Sequence, residues 1–235
     1  MIQLDPKRLP WLPQTAAPRS GVEVAPALRV KQLESELSQM ASAFVCSLST
    51  ILDLTELHTG VHGTRLAEWA MRVAQQLGFS ERDLRDIEIA SLLHDIGKVG
   101  VPQHILQKPG KLTPEEYEAV KKHPDYGWAI LRLLPGFERV SLFVLHHHER
   151  IDGKGYPAGL AAEEIPLGAR IVSIVDAFDV MMSGRSYRDA LPIDEAFRRL
   201  REAAGTQFDA RIVDLFVQIA QEHLPEISRI ATPAA

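Results

Sequence analysis

The chain has 235 residues, of which 46% are hydrophobic and 24% are charged, which excludes a disordered, collagenous or disulfide-rich protein. The net charge of −5, from 31 acidic and 26 basic residues, argues against a nonspecific nucleic-acid binder, so we expect no DNA partner. No apolar run reaches the roughly 18 residues that a membrane span needs, and no secretory signal follows the first methionine. These observations predict a cytoplasmic protein without a membrane span.

The N-terminal part of the chain changes character near residue 29. Five prolines in residues 1–28 predict an extended tail or linker. Apolar residues then recur at steps of three and four, which predicts a long amphipathic helix over 29–57, followed by a domain over 58–235. This helix could pair with a second copy of the chain as a coiled coil, or it could pack as the first helix of its own domain. The single cysteine, Cys46, lies in this apolar pattern and is expected to be a buried, inert thiol.

Helical patterns continue through the rest of the chain. Ser80 with Asp83, and Thr113 with Pro114 and Glu116, are typical helix starts. Alternation typical of strands is weak, so we predict an all-α bundle. The periodicity places helices over 59–76, 81–94, 125–134, 137–147, 167–182, 193–204 and 210–223. Three glycines and a proline require a loop over 151–160.

The histidines are unusually clustered, since eight of the nine lie between His58 and His148. Imidazole and carboxylate groups are preferred ligands of iron, manganese, zinc and nickel. Adjacent helical residues point about 100° apart, so a neighbouring pair can share metal only near a helix end or around two ions. The candidate ligands are His62, His94, Asp95, His123, His147, His148 and Asp176.

Each candidate also has a plainer interpretation. His62 or His123 alone is more often an ordinary histidine, and the run from His94 to Lys98 could be a helix end with its usual glycine and cation. That interpretation does not explain the acid beside His94, and Asp176 lies in an apolar run where an unpaired charge is costly. The whole set therefore favours a site with more than one metal ion.

The same residues, in order, resemble the HD-GYP family, a branch of the HD metal-dependent phosphohydrolases. The similar segments are HDIGK at 94–98, HHERIDGKGYP at 147–157, DAFD at 176–179 and RSYR at 185–188. The match extends from about Glu56 to Phe208. The resemblance implies an HD-type helical bundle with a long N-terminal helix and a glycine-rich loop.

The activity that the resemblance implies is hydrolysis of the bacterial messenger cyclic di-GMP to pGpG, and in some members on to GMP, by a water that bridges two metal ions. His62, His94, Asp95 and Asp176 would hold one ion, and Asp95 would bridge to a second ion. His123, His147 and His148 would hold that second ion. Lys98 would act with Asp95 in catalysis and contact substrate phosphate, and Arg185 and Arg188 would bind the phosphodiester backbone or the guanine end of the substrate. The Gly155, Tyr156 and Pro157 loop would lie near the site and is implicated in contacts with diguanylate cyclases.

One departure concerns the number of metal ions. Members with a third ion carry glutamate four residues before the first histidine, whereas this chain has His58 there, which could still be a ligand. We therefore expect two ions, iron or manganese, with nickel or zinc as alternatives. Asp179, four residues after Asp176, is either a hydrogen-bond partner of a ligand or a structural residue. Two other functions stay open: an HD hydrolase of another nucleotide, and a slow cyclic di-GMP sensor or protein-interaction domain.

Overall fold

The computed structural model describes residues 26–56, 62–183 and 190–223. The chain divides into two compact units, Met1–Ala41 and Ser42–Ala235. In the described ranges, extended pairing is limited to two isolated bridges, Asp152 with Ala161 and Ala204 with Phe208. The predicted all-α fold is therefore confirmed.

Ten α-helices account for most of the described residues. Their bounds are α1 Pro26–Glu56, α2 His62–Gln76, α3 Glu81–Leu93, α4 Gln103–Leu106, α5 Pro114–Val120, α6 His123–Leu131, α7 Glu138–His146, α8 Leu167–Met182, α9 Ile193–Ala203 and α10 Ala210–Glu222. Short 3₁₀ helices cover Ile96–Gly100 and Ala162–Glu164. Sequence periodicity predicts neither 3₁₀ helix nor α4, because segments of three to five residues are too short to show a period.

Two of the helices begin at the predicted capping boxes. The Ser80 hydroxyl accepts a hydrogen bond from the Asp83 backbone N–H, and the Asp83 carboxylate accepts from the Ser80 backbone. Thr113 and Glu116 make the same reciprocal pair, with Pro114 in the first turn of α5. These contacts satisfy donors that a helix start leaves without partners, which is why the local sequence defines the starts of α3 and α5 well.

The second unit contains two hydrophobic cores that share α3. The first core joins α2, α3, α8, α9 and α10, and the second joins α1, α3, α6 and α7. Helix α3 contributes Leu84 and Ile87 to the first core and Ala90 and Leu93 to the second. His94 and Asp95 follow directly after α3, so they lie where the two cores meet.

Helix α1 shows a correction to one prediction. Within the second unit, Val45 and Leu52 are buried in the second core, whereas Phe44 and Ile51 are exposed. Cys46 is also exposed, so the expectation of a buried thiol is wrong. Val45 and Leu52 lie on one face of the helix, and a residue adjacent to Val45 is turned about 100° away from that face.

The first unit is described from residue 26 onward, as the N-terminal part of α1. Its large apolar side chains, including Leu33, Leu37 and Met40, are 47 to 70% exposed. None of the helices described here is both long and apolar enough to cross a membrane.

Gly97 allows the 3₁₀ helix after α3 to lie directly on α6. A Cβ atom at this position would fall on the carbonyl oxygen of His123 and against the backbone N of Gly127. Gly97 is buried and belongs to the 3₁₀ helix, so it does not have the helix-ending role that its position after His94 suggests. Its lack of a side chain brings the segment that follows Asp95 against the start of α6.

Gly97→Ala should lower the free energy of unfolding by at least about 2 kcal/mol, because the new methyl group meets backbone that cannot move aside. Gly63→Ala is the matched control, since its Cβ would find its nearest neighbours at 3.5 Å, an ordinary contact. Alanine within α2 should be neutral or stabilising. Urea unfolding followed by circular dichroism measures both; equal stability of the two variants would refute this explanation of Gly97.

Candidate metal centre

Most of the candidate ligands lie at the ends of helices that meet between the two cores. His62 and His123 are the first residues of α2 and α6, and His94 and His147 immediately follow α3 and α7. Asp176 instead projects from within α8. Helix ends let adjacent residues such as His94 and Asp95 face one centre, which the middle of a helix would not allow.

The first group of donors consists of His62, His94 and Asp95. One donor atom from each residue lies within 4.8 Å of the others. A carboxylate oxygen of Asp176 is 3.6 Å from His62 Nε2 and 3.8 Å from His94 Nε2. Two imidazoles and two carboxylates therefore surround one small volume.

The second group consists of His123, His147 and His148, whose donor atoms also lie within 4.8 Å of one another. Asp95 connects the two groups, because one of its oxygens is 3.1 Å from His94 Nε2 and the other is 3.3 Å from His123 Nε2. The structure thus brings together all seven residues that the sequence singled out as ligands.

Three of these histidines are oriented by nearby backbone carbonyls, which belong to α3 for His94, to the end of α5 for His123 and to α7 for His147. Each ring donates a hydrogen bond from Nδ1 to the backbone carbonyl three residues earlier. The pairs are His94 to Ser91 at 2.9 Å, His123 to Val120 at 2.8 Å and His147 to Val144 at 2.6 Å. In the neutral ring this arrangement assigns the proton to Nδ1 and leaves a lone pair on Nε2. All three lone pairs belong to nitrogens in the ligand groups.

The resulting arrangement fits a divalent cation. His123 Nε2 and His147 Nε2 are 3.4 Å apart, and two lone pairs at that distance repel unless a proton or a metal ion lies between them. His94 Nε2 is buried beside carboxylate oxygens of Asp95 at 3.1 Å and Asp176 at 3.8 Å, which favour a positive charge at this position. Imidazole and carboxylate donors without thiolate suit iron, manganese, nickel or zinc.

The charges in the site also suit a cation. Burial alone would raise the pKa of Asp95, but His94 and Lys98 hold it well below its usual range. Burial lowers the pKa of His147 and brings that of His148 to about 3, so both rings are neutral at pH 7. Burial also opposes a charge on His94, but Asp95 and Asp176 outweigh it and raise the pKa of that ring to about 9.

The predicted substrate contacts are described only in part. Lys98 Nζ lies 2.7 Å from Asp95, at the edge of the first group. Arg185 and Arg188, together with the candidate ligand His58, lie outside the described residues.

The glycine-rich loop packs on the second group. The Tyr156 ring lies over His148 with centroids 4.9 Å apart, and the Tyr156 backbone N–H donates to the His148 carbonyl at 3.2 Å. A Cβ at Gly155 would clash with the backbone of Glu149 and Arg150. Pro157 follows through a cis peptide bond. The loop therefore covers the side of the site formed by His148.

Glu149 is the residue whose role the sequence motifs did not reveal. Its side chain is fully buried, and its carboxylate accepts hydrogen bonds from the backbone N–H groups of Ala158 at 2.7 Å and Gly159 at 3.1 Å. It thereby anchors the C-terminal end of the loop to the residue that follows His148. Its position directly after two candidate ligands could have indicated a role near the site. The sequence alone does not show which backbone N–H groups donate to it.

The fold and the two donor groups define an all-helical domain built around a candidate metal-binding site. A family model described as an HD domain matches residues 47–212. The chain is 39% identical over 177 residues to a cyclic di-GMP phosphodiesterase of Thermotoga maritima, covering 74% of this chain and 48% of that protein. It is 40% identical over 165 residues to 3'3'-cGAMP-specific phosphodiesterase 3 of Vibrio cholerae, covering 70% of this chain and 36% of that protein.

Solved structures show the same architecture. A structure of an HDG"Y"P protein from Bdellovibrio bacteriovorus matches with a TM-score of 0.57 and 25% identity, covering 68% of this chain and 51% of that one. The chain belongs to the HD domain family, and its resemblance to the HD-GYP branch is confirmed. It spans about half the length, or less, of the relatives described above.

Glu149→Ala should free the end of the loop, because two backbone N–H groups lose a charged acceptor, each bond contributing about 1.5 to 3 kcal/mol. Hydrogen exchange read by mass spectrometry should show faster exchange at Ala158 and Gly159. Glu163→Ala, which removes an exposed acid just beyond the loop, is the control. Unchanged protection in Glu149→Ala would contradict the anchoring role.

Proposed function

We propose that this chain is a metal-dependent phosphodiesterase that hydrolyses cyclic di-GMP to pGpG. The turnover experiment described below also shows whether pGpG is cleaved further to GMP. The proposal extends to this chain the activity in the name of the Thermotoga maritima relative, which is 39% identical to it.

The observation that carries the proposal is the position of Asp95 between the two donor groups. Its oxygens lie 3.1 Å from His94 Nε2 and 3.3 Å from His123 Nε2, so one carboxylate could serve both groups. We infer that His62, His94, Asp95 and Asp176 hold one ion. His123, His147 and His148, with Asp95, hold the other. Paired divalent cations lower the pKa of bound water and neutralise the charge of a phosphodiester.

The remaining roles belong to side chains around this centre. Lys98, 2.7 Å from Asp95, places a cation where a phosphate oxygen would approach the first group. Arg185 and Arg188 would bind the rest of the phosphodiester backbone, as the resemblance implies. Tyr156, held over His148 by the glycine-rich loop, would close the opposite side. We propose iron or manganese as the metal, with nickel or zinc as alternatives.

A second substrate has a specific observation in its favour. The chain is nearly as similar to a Vibrio cholerae phosphodiesterase named for 3'3'-cGAMP as to the Thermotoga maritima protein. The two nucleotides share their phosphodiester ring and differ in one base. The candidate ligands would act on the phosphodiester that both nucleotides share, so the metal chemistry alone favours neither base. Hydrolysis of 3'3'-cGAMP is therefore the alternative activity.

The deciding experiment combines turnover and metal counting on one sample. Protein loaded with iron or manganese under anaerobic conditions is incubated with cyclic di-GMP and, in parallel, 3'3'-cGAMP, and the products are separated by chromatography. We expect pGpG from cyclic di-GMP, with two ions per chain. Asp95→Ala should lower kcat by more than about 100-fold, because it removes the carboxylate common to both groups.

The control is Asp214→Ala, which removes an exposed carboxylate from α10 and should keep wild-type turnover. Wild-type activity in Asp95→Ala would refute the two-metal mechanism. If the protein binds the nucleotide but leaves it intact, the chain is a cyclic-nucleotide sensor and not a phosphodiesterase. If 3'3'-cGAMP is cleaved faster than cyclic di-GMP, the assigned substrate changes, but the proposed metal-dependent hydrolysis stays the same.

We also propose that two copies of the chain pair through α1. In the first unit, Val30, Leu33, Leu37 and Met40 follow the alternating three- and four-residue spacing of a coiled coil and are 47 to 70% exposed. Apolar residues at this spacing are normally covered by a partner helix.

Replacing both Leu33 and Leu37 by glutamate should convert the dimer to a monomer, because each dimer would bury four charges in its seam. Light scattering during size-exclusion chromatography measures the mass directly. Ser35→Glu adds a charge to the same exposed helix outside this spacing and should remain a dimer. A monomeric wild-type chain would rule out the pairing.

A further inference from the structure

His62 is oriented differently from the other histidines of the candidate centre. The rings of His94, His123 and His147 donate to carbonyls three residues earlier, within or beside their own helices. In His62, by contrast, Nδ1 lies 2.6 Å from a side-chain oxygen, Oδ2 of Asp179 on α8. The orientation of this ring therefore depends on another helix.

Asp179 is itself held firmly. Arg65, one turn after His62 on α2, donates from Nε to Oδ1 at 2.7 Å and from a terminal nitrogen to Oδ2 at 2.8 Å. The same terminal nitrogen donates to the Ser183 hydroxyl at 2.9 Å. The side chains of Asp179 and Arg65 are only 6% and 15% exposed. A carboxylate fixed at both oxygens in a buried position cannot rotate.

This contact determines which nitrogen of His62 carries the proton. A carboxylate that accepts at 2.6 Å requires an N–H at Nδ1, so Nε2 is left with its lone pair in the neutral ring. His62 Nε2 is the nitrogen that lies 3.6 Å from Asp176, inside the first donor group. A carboxylate that holds the far nitrogen of a ligating histidine fixes the ring and strengthens it as a ligand.

We propose that Asp179 and Arg65 are positioning residues for the first metal: Arg65 clamps the Asp179 carboxylate, which holds His62 in the tautomer and orientation that present Nε2 to the ion. The inference rests on the proposed metal-dependent function and deepens it. It assigns the pair to one ion only, because neither residue contacts His123, His147 or His148 in the described structure.

Asp179→Asn tests the proposal with little change of shape. The carboxylate accepts from Arg65 at both oxygens and from His62 at Oδ2. An amide replaces one of these oxygens by an NH₂ donor, so an N–H of Arg65 or of His62 must then face a donor. The measurement is Mn²⁺ binding to the full chain, by counting bound ions and titrating affinity. We expect one of two ions to bind 10- to 100-fold more weakly, and the other to keep wild-type affinity. Arg65→Gln should weaken the same ion, because it releases the clamp on Asp179.

Asp209→Asn is the matched control. Asp209 pairs with Arg170 at 2.7 Å, both side chains are 16% exposed, and neither residue belongs to the donor groups. This variant loses a comparable ion pair, so it reports the effect of lost stability alone and should keep both ions. Nitrogen NMR of the imidazole rings in metal-free protein adds a second readout. His62 should show its proton at Nδ1 in the wild type and lose that preference in Asp179→Asn.

The outcomes separate this inference from the proposed activity. Wild-type Mn²⁺ affinity in a folded Asp179→Asn would overturn it, and so would equal weakening in Asp209→Asn. If Asp179→Asn fails to fold, Arg65→Gln decides by the same criterion. A wild-type chain that binds two ions but leaves cyclic dinucleotides intact would refute the phosphodiesterase and leave the positioning role supported. A wild-type chain that binds no ion would overturn both.

Discussion

Several imidazole nitrogens lie close together around Asp95, and the rest of the structure holds them there despite their mutual repulsion. The Nε2 atoms of His123 and His147 lie 3.4 Å apart, and that of His94 is buried 3.1 Å from an oxygen of Asp95. Three of the rings are held by backbone carbonyls three residues earlier in the chain, so they do not turn away to relieve the repulsion. Local hydrogen bonds thus hold an arrangement of donors that a cation would stabilise.

The two cores place these fixed rings around one point. Helix α3 takes part in both cores and ends at the donors His94 and Asp95. The lack of a side chain at Gly97 then allows the next segment to lie against α6, which begins at His123. A glycine that resembles a helix terminator in the sequence is therefore a contact between two backbones. The sharing of Asp95 between both donor groups follows from that contact.

Much of the fold and of the donor set was predictable, because both depend on local patterns. Periodicity and capping boxes predict most helices, and clustered histidines with adjacent acids predict ligands. Contacts between distant residues were less accessible: Asp179 meets Arg65 across 114 positions, and no spacing rule pairs them. The direction of a single side chain was also uncertain, as the exposed Cys46 shows. The position of Gly97 depends on another helix in the same way.

The dependence of His62 on a second helix has a consequence for how the molecule comes apart. The second donor group is built from the first residue of α6 and the two residues that follow α7, and both helices belong to the second core. The first group needs α2 and α8 of the first core to stay together. Cores that open with different free energies release what they hold at different stages. If each donor group holds an ion, the order in which the ions are lost during gradual unfolding would record the order in which the two cores open.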